Sequence, residues 1–420
     1  MLNKSAIRYF AKVSSGQGAP QRETDFSEEG IPFIRAGSLE NLLNGKNEDE
    51  LPKVRQEIAR EYKLKLYQPN TIVFAKSGMS ALKGRIYKLQ SPCYVVNHLA
   101  TLELLDNAIS DYIVYALRYF SPVKLINDNA YPSLKQSVIE NYEIPFPKDK
   151  KDQIYIAAVL SKAGNLISQR KESIRLLDEF LKSIFLEMFG DPGINPKRWP
   201  VKKLEEHIEY MGDIGSNGSN EMVAKNLEML DVEEYAIMIR TTNLTRNDFT
   251  NNIKYVTQKT YEFFKKSKIY GGEIIMNKIG SAGDFWMMPK LSKPVTLGLN
   301  QLVIRPKNLP TLYLFYYLST DYGRMIVKAQ AKGATTKSIT KTAVKALPLM
   351  YPPDTLQNQF VAIVKKTEAL KTQYQQSLQE LENLYGSLSQ RAFKGELTLR
   401  QEERFLLAAE PDIKYKKKPL

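Results

Sequence analysis

Ser133-Leu134-Lys135, then Ile144-Pro145-Phe146-Pro147, then a long apolar-patterned run closing at Phe189-Gly190: this stretch decides the fold because it is written twice. The second copy reads Ser338-Ile339-Thr340, then Leu349-Met350-Tyr351-Pro352-Pro353, then a run closing at Phe393-Lys394-Gly395, at an offset of about 204 residues. The order in each copy is a polar turn, a proline-bounded strand and a helix. A chain with two copies of one plan can build its own pseudo-twofold molecule. Such a molecule suits a partner that is itself twofold, and duplex DNA is the obvious one.

The two helical runs carry the clearest physical signal. Alternating steps of four and three select Ile156, Leu160, Ala163, Ile167, Arg170, Ile174, Leu177, Leu181, Ile184 and Met188 in the first. The same steps select Phe360, Val364, Thr367, Lys371, Tyr374, Leu378, Leu381, Tyr385, Leu388 and Ala392 in the second. A period of 3.5 is a coiled-coil seam rather than an ordinary amphipathic face. Two seams of equal length in one chain should pair, and a pseudo-twofold relation makes the pair antiparallel. A helix of about 37 residues is roughly 55 Å long, on the order of 16 base pairs of duplex. The pair therefore reads as a rigid spacer, although a hairpin that merely stiffens the protein shows the same pattern. Arg170 and Lys371 interrupt the seam near its middle and are expected to flank the interface, with Glu172 or Glu368 as available carboxylates.

Outside the helices, short β-like runs such as Pro32-Phe33-Ile34-Arg35, Thr71-Ile72-Val73-Phe74 and Tyr94-Val95-Val96 alternate with Gly, Pro and Asn turns. The second half answers them. Ile274-Ile275-Met276-Asn277-Lys278-Ile279-Gly280 matches Ile72-Val73-Phe74-Ala75-Lys76-Ser77-Gly78, and Asn300-Gln301-Leu302 is set against Asn97-His98-Leu99. The expected fold class is α+β: two globular domains related by pseudo-twofold symmetry and separated by an antiparallel coiled coil of two long helices. The boundaries fall at 1–149, 150–190, 191–355 and 356–395, with a charged tail over 396–420.

Composition narrows the function. The net charge of +14 and pI near 9.4 point to an anionic partner, and the excess lies mainly on the globular segments rather than on the helices or the tail. A structured, phosphate-facing surface is the better reading than a generic solubilising one. Cys93 is the single cysteine, so no disulfide framework and no cysteine-rich zinc site exists. No apolar run is long enough to cross a bilayer and no signal peptide is recognisable, so a cytoplasmic protein without a membrane is expected. The two histidines, His98 and His207, lie in different halves, which leaves no His-pair metal site and no repeated catalytic histidine. No Walker-type loop, no methyltransferase Asn/Asp-Pro-Pro-aromatic stretch and no clustered nuclease carboxylates appear. Pro411-Asp412-Ile413-Lys414 imitates part of a nuclease motif but reads as solvated tail. The expectation is a binding protein, not an enzyme.

Base-edge readout and phosphate contacts need polar and basic side chains on loops that recur in both halves. One such cluster is Lys76, Ser77, Lys83 and Arg85, answered by Lys278 and Ser281. A second precedes each strand-proline junction: Asn129 and Lys135, answered by Thr335, Thr336 and Lys337. Ser133 and Ser338 beside them read as helix caps. Arg35 and Arg240 stand at equivalent strand ends, where they could touch DNA or brace the domain. His98 and Gln301 are aligned and could both face a groove.

Two globular halves, each followed by a long helix, resemble the DNA specificity subunit of Type I restriction-modification systems. The resemblance rests on the openings Gly16-Gln17-Gly18-Ala19-Pro20 and Gly30-Ile31-Pro32-Phe33-Ile34-Arg35, on the two strand-proline-helix junctions, and on the endings Phe189-Gly190 and Phe393-Lys394-Gly395. It covers nearly the whole chain. It implies two target-recognition domains that each read half of an asymmetric, bipartite site in double-stranded DNA. It further implies that the helices set the unspecified gap and dock two DNA methyltransferase subunits, with restriction/translocase subunits added. S-adenosylmethionine and ATP would then sit on those partners, and this chain would hold no cofactor. The second opening, Ile214-Gly215-Ser216-Asn217-Gly218, departs from the pattern by lacking a proline. The competing reading is a coiled-coil scaffold whose basic domains bind RNA or another acidic partner without sequence preference.

Overall fold

The computed structural model describes residues 2–397. The stretch beyond Leu397, with Pro411-Asp412-Ile413-Lys414, lies outside the described residues. The described residues divide into two compact units, one of 2–171 with 376–397 and one of Glu172–Gln375. Each long helix therefore contributes one part to each unit.

In the first unit, strands β1 (Lys4–Ala6), β2 (Ala11–Ser15), β3 (Ile31–Ile34), β4 (Lys53–Val54), β5 (Ile72–Ala75), β6 (Ile86–Lys88), β7 (Tyr94–Val95), β8 (Leu99–Leu104) and β9 (Glu143–Pro145) form three sheets. Their orders are β2-β8-β5-β6, β4-β3-β7 and β1-β9. The second unit has β10 (Val201–Lys203), β11 (Ile208–Asp213), β12 (Ala236–Ile239), β13 (Lys254–Val256), β14 (Lys268–Ile269), β15 (Ile274–Asn277), β16 (Phe285–Met287), β17 (Val295–Leu297), β18 (Gln301–Pro306) and β19 (Pro348–Met350). Its orders, β11-β18-β15-β16, β13-β12-β17-β14 and β10-β19, repeat the first unit strand for strand apart from the added β14. Each unit also contains one parallel pair, β3 with β7 and β12 with β17. In the first unit only glycine fits at position 16, because a Cβ there would lie 2.1 Å from the Val95 carbonyl oxygen.

Register settles how the two halves correspond. Ala75 pairs with Leu99, and Asn277 pairs with Gln301. Gln301 is thus the counterpart of Leu99, and Asn300 is the counterpart of His98. The alignment of His98 with Gln301 is corrected by one residue. Because side chains alternate along a strand, that single step moves Gln301 to the inward face.

The first long helix, α1, runs Lys150–Phe189, and the second, α2, runs Asp354–Lys394. Gly190 takes φ +82 and ends α1, while Lys197 Nζ donates to the Glu187 and Met188 carbonyls at 2.8 Å each. A cation there satisfies orphan carbonyls and complements the helix dipole. In the first unit, Ile156 and Leu160 share a core with Ala392 and Phe393, and Lys171 pairs with Glu382 at 2.9 Å. In the second, Leu181, Phe185 and Phe189 share a core with Phe360 and Val364. Numbers rise along α1 as they fall along α2, so the helices are antiparallel. None of the seam positions on either helix is exposed: Ile167, Ile174, Leu177, Ile184, Met188, Tyr374, Leu378, Leu381, Tyr385 and Leu388 are half-buried, and the rest of the apolar ones are buried.

Each junction is locked by the same two devices. Tyr112 Oη donates to the Pro145 carbonyl and Tyr313 Oη to the Met350 carbonyl, both at 2.7 Å. Gln153 is fully buried near the start of α1 and donates to the Pro147 carbonyl at 2.8 Å. Gln357, equally buried in α2, donates to the Pro352 carbonyl at 2.7 Å. A buried amide that closes on the preceding proline segment fixes the angle at which each helix leaves its sheet.

Candidate nucleic-acid interface

The loop that leaves β5 is tied to the loop before β9. Ser77 bridges Ser133, the Gly78 amide donates to the Pro132 carbonyl at 2.9 Å, and the Leu134 amide donates to the Lys76 carbonyl at 2.7 Å. The Lys76 amide donates to the His98 carbonyl at 2.9 Å, and Ser77 Oγ shares a hydrogen with His98 Nδ1 at 2.8 Å. Lys76, Ser77, His98 and Lys135 are therefore gathered at one end of the sheet. The Val96 amide, donating to Ile34, brings the end of β3 and Arg35 beside them. Arg35 is exposed, with its guanidinium 4.7 Å from the Phe26 ring centroid.

The second unit repeats this tie. Ile279 bridges Ser338, the Gly280 amide donates to the Lys337 carbonyl at 2.9 Å, and the Lys278 amide donates to the Asn300 carbonyl at 2.6 Å. Thr335, Thr336 and Lys337 are exposed on the loop so held, and Ser281 is exposed beside it. Ser133 and Ser338 serve as these bridge residues, not as helix caps. Thr340 caps the following helix instead, accepting from the Ala343 amide at 3.1 Å.

Several sequence candidates stand differently from the rest. Gln301 is 2% exposed and donates to Thr241 Oγ1 at 2.7 Å, so it supports the loop from beneath. Arg85 is half-buried and turned onto Glu40 at 2.7 Å. Arg240 is half-buried and donates to the Asn252 carbonyl at 2.5 Å, the bracing alternative rather than an open contact. Lys83 and Asn129 are exposed. Sequence reasoning missed Asn300, which register makes the exposed counterpart of His98, and Tyr131, which is 83% exposed on the loop shaped by Asp128. An exposed ring between polar loop residues was the available signal for Tyr131.

The electrostatics of the two units differ. In the second, Lys278 Nζ lies 2.8 Å from Asp213 Oδ2, and Lys341 Nζ lies 3.4 Å from Asp213 Oδ1. Burial pushes the Asp213 carboxyl up, but the hydrogen bonds from Lys278 and Ser216 and the two ammonium charges outweigh it and hold the group below its ordinary value. Cys93 is fully buried, and burial pushes its thiol up to about 12, which makes it an inert core residue. Among the described residues no group of three or more His, Cys, Asp or Glu is arranged to hold a metal, and no helix is long and apolar enough to cross a membrane.

Two copies of one sheet-and-helix plan, each opening basic and polar loops at a sheet end and each built on parts of the same helix pair, define a duplicated α+β protein with an antiparallel coiled coil. The Type I restriction modification DNA specificity domain matches it twice, over residues 4–176 and 196–383. The chain belongs to the Type I restriction-modification DNA specificity family. The Type I restriction enzyme MjaIX specificity subunit of Methanocaldococcus jannaschii is 31% identical over 164 residues, covering 38% of this chain and 37% of that protein. The match thus spans well under half of the relative's length. The S subunit of a Type-I restriction-modification system from M. genitalium superposes with a TM-score of 0.54 at 16% identity, covering 94% of this chain and 96% of that one. A chain from the structural work on complex assembly and conformational transition of the type I R-M system gives 0.53 at 14% identity, covering 93% and 97%. At these identities the two structures show a shared fold.

Proposed function

We propose that the chain reads a bipartite, asymmetric target in double-stranded DNA, with 1–149 and 191–355 acting as recognition domains for one half-site each. The helices 150–190 and 356–395 set the unspecified gap and dock two DNA methyltransferase subunits, and restriction/translocase subunits join that assembly. S-adenosylmethionine and ATP belong to those partners. The observation that carries this reading is the duplicated loop tie at the end of each main sheet. The same backbone bonds hold Lys76-Ser77 with His98 in one unit and Lys278-Ile279 with Asn300 in the other. A shared frame with different side chains is what two unlike half-sites require.

The test is a methylation map of genomic DNA from a host co-expressing this chain with a methyltransferase subunit. A split motif with modified bases in each half, lost when this chain is omitted, is the expected result. A continuous motif, or a pattern unchanged by omission, overturns it. Salt-dependent binding to RNA and DNA alike, with no sequence preference, would instead support the scaffold reading.

A further inference from the structure

The two units carry the same lysine in different settings. Register pairs Ser15 with Ala100 in the first unit and Asp213 with Leu302 in the second, so Ser15 is the counterpart of Asp213. Lys76 and Lys278 are counterparts in the same way, each immediately following the paired residue of its strand. Gln136 opens the helix Gln136–Glu140 where Lys341 opens the helix Lys341–Lys345. At the three equivalent positions the first unit therefore has Ser15, Lys76 and Gln136, one lysine and no carboxylate. The second has two lysines on a buried carboxylate.

The contacts are specific. Asp213 is 4% exposed, and its Oδ2 accepts from Lys278 Nζ at 2.8 Å while Oδ1 accepts from Ser216 Oγ. Lys341 Nζ lies 3.4 Å from Oδ1 and 2.5 Å from Ser216 Oγ. The residues come from three separate segments: the end of β11, the loop after β15 and the helix after the Thr335–Lys337 loop. Gln136 instead donates its amide to the Val13 carbonyl at 3.0 Å, and Lys76 makes no ion pair among the described residues.

An ammonium carries three N–H donors on a flexible stem. A free lysine offers them to any phosphate within reach, which adds affinity without telling sequences apart. A lysine held at one donor by a buried carboxylate keeps its remaining donors aimed in a fixed direction, and it keeps net positive charge because two lysines share one acid. We infer that Asp213 is a positioning residue for recognition: it clamps Lys278 and Lys341 so that the second unit presents directed donors, while Lys76 of the first unit remains an unclamped cation. This rests on the DNA-recognition reading above and deepens it, because it assigns unequal modes of contact to the two half-sites.

The experiment compares the wild-type chain with Asp213→Asn and with Lys341→Gln. Each is assayed by methylation mapping in the complex and by competition binding of cognate against half-site-mismatched duplexes at several salt concentrations. For Asp213→Asn, discrimination at one half-site should fall roughly tenfold. The other half-site should be unchanged, and affinity for unrelated duplex should hold or rise because a negative charge is lost. A merely structural role would lower all binding together. Lys341→Gln should relax the same half-site, and because it leaves the Asp213–Lys278 bond in place it decides the matter if Asp213→Asn does not fold. Unchanged discrimination at both half-sites in a folded Asp213→Asn, or in Lys341→Gln, overturns the clamp. A wild-type map with no split motif overturns the recognition reading itself and takes the clamp with it.

Discussion

Lys371 of α2 reaches Asp178 of α1, Nζ to Oδ1 at 2.5 Å, from a position in the middle of the seam. Its partner is neither Glu172, which is engaged by Arg175, nor Glu368. Lys371 is half-buried rather than flanking the interface, and Arg170 is likewise half-buried. The aliphatic stem packs in the seam while the charged end meets a carboxylate at its rim.

That geometry makes the two partners unequal. Lys371→Leu replaces a charged seam residue by an apolar one of similar size and should leave the thermal midpoint unchanged or raise it slightly. Asp178→Leu strands the ammonium at the seam and should cost about 0.5–1 kcal/mol, the small end of the scale because the carboxylate is half-exposed and screened by solvent. Thermal melts of the two single variants and the double variant check this, and the double variant should recover most of the loss. Equal destabilisation by both single variants would contradict it.

Stability should also report on His207. The residue is 6% exposed, its ring stacks on Tyr351 at 4.4 Å, and neither ring nitrogen has a hydrogen-bond partner among the described residues. Burial, then the nearby Lys202 charge, holds its pKa below the ordinary histidine value. The folded state thus prefers the neutral ring, while the unfolded chain takes up a proton near pH 6.5. The stabilisation is complete above that value and is lost as pH falls through it. Chemical denaturation from about pH 7.5 to 5.5 should show this slope, and His207→Phe should flatten it.

Much of the fold was readable because it rests on periodicity. The seam from Ile156 to Met188 keeps its 3.5-residue phase in the structure, and the strand-proline junctions at Pro145 and Pro352 stand where the repeat put them. The parts that were not readable depend on register and on contacts far apart in sequence. A heptad pattern gives the face of a helix but not its axial offset, so Asp178 could not be matched to Lys371. Gln301 was misplaced because a one-residue slip in matching two divergent repeats exchanges the inner and outer faces of a strand. Asp213 gave no local sign of its role, since Lys278 and Lys341 reach it from distant segments.

The exposed lysine at the start of the second tied segment gives a cleaner probe of phosphate contact. Lys135 is exposed and N-caps the short helix Gln136–Glu140 through its backbone, with no side-chain capping bond to lose. Lys135→Ala should leave stability within about 0.5 kcal/mol. If the residue meets a phosphate, the variant should weaken binding about equally for all duplexes and reduce the slope of log affinity against log salt by roughly one. A salt titration of binding by the full chain measures both. Altered sequence preference with an unchanged salt slope would assign Lys135 to a base edge instead.

The helix pair yields the most direct test of the gap-setting role. Because α1 and α2 run antiparallel, an insertion must be made in both to keep the seam paired, and it must be a whole heptad to keep its apolar phase. Seven residues add about 10 Å, on the order of three base pairs. Inserting one heptad into each helix should therefore lengthen the unspecified gap in the methylated motif by about three base pairs and leave both half-site sequences as they were. The insertion points belong in the polar-faced middle of the helices, away from Phe185, Phe189 and Phe360, whose rings lie 4.9–5.5 Å apart and anchor the second unit's core. An unchanged gap would show that another element sets the spacing. Changed half-sites would show that the helices take part in base recognition.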